Sequence, residues 1–143
     1  MKKPTKKQKK AIRNFLSSLG WLFENQWYDN SILYMEENNE NTDASMTLTE
    51  AYRETVLTIY PQFFDGTPEE QAKILLHEMV HIQTIPSKSL SLQLLEGKLI
   101  TEEQVTDANE KLTCYMQQIL SSFLESPMKH YKENYQSFIN EMK

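Results

Sequence analysis

LLHEMVHIQT, residues Leu75 to Thr84, is the stretch from which the rest of the chain is read. His77 and His81 stand four residues apart with Glu78 between them, and on an α-helix residues at i and i+4 share a face. Two imidazoles so placed can hold one metal ion, while Glu78, one residue round the helix, sits near a metal-bound water. The bland alternative is a solvated helix face. Against it, the chain has only three histidines, and two of them fall in this motif with an acid between.

Working outward, Thr67-Pro68-Glu69-Glu70 is a complete helix start: Thr67 as N-cap, Pro68 at the first helical position and Glu70 placed to close a capping box. Ala72, Leu75, Leu76, Met79 and Val80 repeat at helical spacing as one apolar side, with His77 and His81 projecting from another. Pro86 is expected to end this helix, leaving Ser87 to Leu99 as a loop or short irregular helix broken at Gly97. A second helix starts at Thr101-Glu102-Glu103 and runs to about Glu125. Its core stripe is Val105, Ala108, Leu112, Met116, Ile119 and Phe123, and Glu103, Asp107, Glu110 and Cys114 fall together away from that stripe. Ser126-Pro127 opens a last helix with Tyr131, Tyr135, Phe138, Ile139 and Met142 as its apolar stripe.

Upstream, Pro4 can open a helix running to about Leu19, with Ala11, Ile12, Phe15, Leu16 and Leu19 facing inward and Gly20 as its stop. Trp21 to Glu37 is rich in aromatic and β-branched residues, with Ser31 to Met35 as a strand core. Glu36 to Ala44 is polar and reads as an exposed loop. Met46 to Tyr52 and Glu54 to Phe64 read as two further strands, the second alternating through Val56, Thr58 and Tyr60, with Pro61 near its end. Asp65-Gly66 makes the turn into the motif helix. The expected fold class is α+β: a small three-stranded antiparallel or mixed sheet packed on the motif helix, flanked by one N-terminal and two C-terminal helices.

At 143 residues the chain fits one domain, 1–143, whose active site would have to be compact. No apolar run is long enough to span a bilayer, no secretory signal follows the basic N-terminus, and Cys114 is the single cysteine. These features point to a reducing, cytoplasmic setting without a membrane partner. A net charge of -5 argues against nucleic acid as the partner of the whole surface. The distribution is uneven, however, because Lys2, Lys3, Lys6, Lys7, Lys9, Lys10 and Arg13 crowd the first helix. That face reads first as solvated, with nucleic acid or an acidic partner as the alternative.

HEMVH in a helix after strands, then a helix bearing Asn109-Glu110-Lys111-Leu112-Thr113, resembles the zincin metallopeptidases, in the gluzincin-like branch whose third ligand is a glutamate from a downstream helix. The likeness is carried from about Met46 to Leu124. It extends to small intracellular bacterial and phage zincin-like proteins, which also begin with a helix and strands and end with helices. No Gly-x-x-His follows His81, so the metzincin pattern is absent, and the next histidine is His130. The resemblance implies one Zn2+ held by His77, His81 and Glu110, with Glu78 as the catalytic acid/base acting on peptide bonds. It also implies an extended substrate held along Met46 to Tyr52. Among the acids of the long helix, Glu103 and Asp107 are the alternatives to Glu110. Tyr115, His130 and Tyr131 are the available donors for an oxyanion. Two other readings stand beside the peptidase: a zinc-stabilised interaction module without useful turnover, and a nucleic-acid-associated protease recruited by the Lys-rich helix.

Overall fold

A computed structural model of the protein describes residues 3–19, 29–49, 52–125 and 129–143. The expected elements at Trp21 to Tyr28 and at Ser126-Pro127 lie outside the described residues, as do the side chains of Tyr115, Met116, Ile119, Phe123, His130 and Tyr131. The chain runs α1 (Lys6–Ser18), β1 (Asp29–Tyr34), β2 (Ala44–Thr49), β3 (Glu54–Ile59), a 3-10 helix (Pro61–Asp65), α2 (Pro68–Leu95), α3 (Glu102–Glu125) and α4 (Lys129–Met142). The class is α+β, as expected. Among the described residues no helix is long and apolar enough to cross a membrane.

Three of the helices start by the same local device. Thr5, Thr67 and Thr101 each accept a hydrogen bond from the backbone N–H three residues on, and each threonine N–H donates in turn to the side-chain oxygen of Gln8, Glu70 or Gln104. Pro4 therefore precedes the first helix instead of opening it, because Thr5 takes the cap.

The sheet is mixed, in the order β1-β3-β2, with β1 parallel and β2 antiparallel to the central β3. β3 alternates in the phase opposite to the expected one. Thr55, Leu57 and Ile59 are buried, while Val56 and Thr58 are half-buried on the other face. The alternation also stops at Ile59, since Pro61 has no N–H for a ladder and starts a 3-10 turn that buries Phe63 and Phe64.

Leu57 and Ile59 meet Leu75, Met79 and Ile82 of α2 in one core, closed below by Ile12, Phe15 and Leu16 of α1 and by Phe138 and Ile139 of α4. The Phe15 and Phe138 rings lie 4.6 Å apart. Val80, expected inside, is 44 % exposed; the fourth buried position of the stripe is Ile82. The second departure is longer. α2 does not end at Pro86 but continues to Leu95 and stops where Gly97 adopts φ 69, with Gly97 N–H to Leu94 C=O and Lys98 N–H to Gln93 C=O. On α3, Val105 is exposed where the stripe was expected to bury it.

Candidate metal centre

The N-terminal half of α2 is held at both ends of its first turns. Gln71, buried, donates through Nε2 to the carbonyls of Phe63 (3.1 Å) and Gly66 (3.0 Å), tying the 3-10 turn to the helix. Ala72, Leu75, Met79 and Ile82 are buried on the sheet and helix side. A helix so anchored presents the neighbouring stripe, His77 and His81, at the surface in a fixed phase.

The His77 and His81 Nε2 atoms lie 3.1 Å apart and their rings meet edge to face, with centroids 4.7 Å apart. Two zinc–nitrogen bonds of about 2.0–2.1 Å at a tetrahedral angle hold their nitrogens about 3.3 Å apart, so the two imidazoles are at the bite of one ion. Ligand atoms of His77, Glu78 and His81 all lie within 4.8 Å of one another. Thr84 Oγ1 is 3.5 Å from His81 Nδ1, on the ring edge away from this bite. When Nε2 faces a metal, Nδ1 carries the proton, and Thr84 is the residue placed to receive it.

Glu78 is 7 % exposed and turns towards β2, where the Met46 N–H donates to its carboxylate. Burial pushes its carboxyl above the ordinary carboxylate range, against the pull of His81, His77 and that N–H. The parity of β2 explains the contact. Tyr60 N–H bonds to Asp43 C=O at 3.0 Å, so residues 45, 47 and 49 turn their backbone groups to β3 while Ala44, Met46 and Leu48 turn theirs to the α2 side. Of these outward groups, the Ala44 carbonyl already accepts from the Thr42 hydroxyl and the Met46 N–H is taken by Glu78.

In front of His77 and Glu78 is an open cleft of about 450 Å3, walled by Lys73 and Ile74 of α2, by Asn41, Thr42 and Asp43 from the loop before β2 and by Ala44 at the start of that strand. That loop is pinned from behind. Asn39 N–H donates to Gln62 Oε1 at 2.9 Å, and Gln62 Nε2 donates back to the Asn39 carbonyl. The polar loop, read from sequence as merely exposed, is thus a wall of the site. Its Asn-Asp composition was visible, but its contact with residue 62 is 23 residues distant and was not.

Glu110 is not brought to the histidine pair. It is exposed on α3, and its neighbours Asp107 and Lys111 line a crevice with Ser89, Leu90 and Gln93, so this part of α3 lies beside the C-terminal half of α2. From His81 to Ser89 is eight residues, or roughly 12 Å along the axis. Glu103, nearer the start of α3, is exposed as well, and Asp107 pairs with Lys111 at 3.1 Å. Compared with family models, with curated proteins and with solved structures, the chain matched none.

Proposed function

We propose that the chain is a zinc-dependent metallopeptidase of zincin type. The single observation that carries the reading is the 3.1 Å approach of the His77 and His81 Nε2 atoms beside a buried glutamate at the edge of an open cleft. Bound there, zinc supplies a Lewis acid that polarises a peptide carbonyl and makes its water acidic. His77 and His81 would hold the ion through Nε2, with Thr84 Oγ1 on the Nδ1 side of His81. A Glu78 carboxylate oxygen accepts the proton of the attacking water and returns it to the departing amine, with the Met46 N–H beside the carboxylate. Substrate enters along the outer edge of β2, where Leu48 offers backbone groups, with Asn41 to Asp43 continuing that side of the cleft and Lys73 and Ile74 of α2 facing them.

A second reading, a zinc-stabilised interaction module without turnover, is favoured by one feature. Two of the outward backbone groups of β2 are already engaged within the chain, which shortens the edge an extended peptide could pair with.

Metal analysis of protein purified without chelator tests the shared part of both, with about one zinc per chain expected. Folded protein that takes up no zinc when it is supplied would remove both readings. Glu78→Gln separates them. On the peptidase reading it keeps zinc and fold and abolishes hydrolysis of a peptide library that the parent cleaves; a parent that binds zinc and cleaves nothing leaves the module.

A further inference from the structure

The basic first helix is not used by the site just described, and its geometry carries a role of its own. Seven of the fifteen Lys and Arg fall in the first thirteen residues, which hold no Asp or Glu; the rest of the chain, with eight basic and twenty acidic residues, carries a net charge of -12. The protein is strongly polarised. On α1 the apolar stripe of Ala11, Ile12, Phe15 and Leu16 is buried, so Lys6, Lys7, Lys10 and Arg13 stand exposed on the opposite side. None of these four forms an ion pair with a described residue, whereas Lys3 pairs with Glu36 at 2.8 Å and the Lys9 ammonium lies 4.6 Å above the Tyr34 ring.

The placement runs against local helix chemistry. The helix macrodipole favours acids in a first turn, and α2 and α3 follow that rule with Glu69 and Glu70, and Glu102 and Glu103. α1 has no acid there, begins Lys6-Lys7, and closes its capping box with uncharged Gln8 instead of a glutamate. α4 also lacks an acid in its first turn, so that departure alone does not single α1 out; what does is the row of four exposed cations, none of them ion-paired with a described residue.

We infer that the exposed Lys6, Lys7, Lys10 and Arg13 ridge of α1 binds the phosphate backbone of nucleic acid without reading its sequence. The inference is independent of the peptidase reading. Three partner classes compete for such a ridge, and the structure separates them. A bilayer would have to be met by charge alone, because the apolar face an interfacial helix buries in lipid is here packed into the core. Protein interfaces are anchored mostly by desolvated aromatic, apolar or arginine side chains, and this ridge offers one arginine among lysines, with no exposed apolar residue of α1 beside it. A polyphosphate chain needs only cations, since binding is driven by counterion release from a dense line of charge. The acidic remainder of the chain leaves this ridge as the side that approaches.

Fluorescence anisotropy with the full chain and a short labelled DNA duplex of arbitrary sequence tests this. Four phosphate contacts predict a log–log salt slope of about -3.6, or roughly a hundredfold loss of affinity between about 50 and 200 mM salt. The variant combining Lys6→Gln, Lys10→Gln and Arg13→Gln should reduce that slope to about -0.9 with unchanged circular dichroism. Lys88→Gln with Lys132→Gln should leave it as it was. Absence of binding at about 50 mM salt, or a slope indifferent to the ridge substitutions, would overturn the proposal. So would tighter binding to phosphatidylserine vesicles than to the duplex, which would assign the ridge to membranes.

Discussion

The two halves of α2 are one continuous helix with opposite surroundings. From Pro68 to Ile82 every third or fourth residue is buried, at Ala72, Leu75, Met79 and Ile82, and the two histidines ride on the adjoining stripe. From Thr84 to Leu95 no described side chain is buried; Leu92 and Leu94 are exposed and Leu95 is 83 % exposed. Pro86 lies at the junction and leaves the Ile82 carbonyl without its helical N–H partner. The difference indicates where this fold holds side chains rigidly. A two-histidine bite needs a helix whose phase is set by packing, and only the first half has it.

The two halves should respond differently to truncation. Met79→Ala empties a fully buried position two residues from each histidine and should lower stability by about 3 kcal/mol. Leu95→Ala should change it by no more than about 0.5 kcal/mol. Urea unfolding of the two variants measures both, and equal losses would mean that the second half is packed in solution. Pro86→Ala sharpens the same contrast. It restores an N–H to the Ile82 carbonyl, worth about 3 kcal/mol in a helix interior, against somewhat less than 1 kcal/mol of unfolded-chain freedom regained, so a net gain of about 2 kcal/mol is expected. A loss would show that the proline serves a bend the second half requires.

What was legible in the chain was what is local. The starts of α2 and α3 could be read from their threonine caps because a capping box closes within three residues, whereas at α1 the Thr5–Gln8 box was passed over for Pro4; Gly97 was readable as a break because a left-handed stop favours glycine. The HExxH spacing likewise lies within one turn and a residue. The errors lie where a distant partner decides. Which face of β3 is buried depends on where α2 docks, and Leu57 and Ile59 are as apolar as Val56, so alternation alone could not choose the phase. Val80 and Ile82 are both β-branched and apolar, and only the approach of the sheet selects Ile82. Pro86 misled because its cost is usually decisive, whereas here twenty-eight residues of helix absorb it. The Met46 N–H that holds Glu78 had no sequence signal at all, since it follows from strand parity across thirty-two residues.

The smallest expected effect concerns Glu110, and it bears most directly on the division of α2. The resemblance to zincins with a glutamate third ligand implies that Glu110→Ala should weaken zinc binding severely. The geometry implies the contrary. Asp107 and Lys111, which flank Glu110 on α3, face Ser89, Leu90 and Gln93, and that level of α2 is roughly 12 Å beyond His81, farther than a glutamate side chain reaches. With the helices as they lie, zinc affinity of Glu110→Ala should stay within about threefold of the parent, since the side chain is neither a ligand nor placed to orient one, a role that typically carries 10–100-fold. His81→Ala, measured in the same competition titration with a chromophoric chelator, should abolish binding and so calibrates the assay. A severe loss in Glu110→Ala would have one structural meaning. α3 would then shift along α2 by about two turns when metal binds, and the poorly packed second half of α2 would be the surface on which it slides.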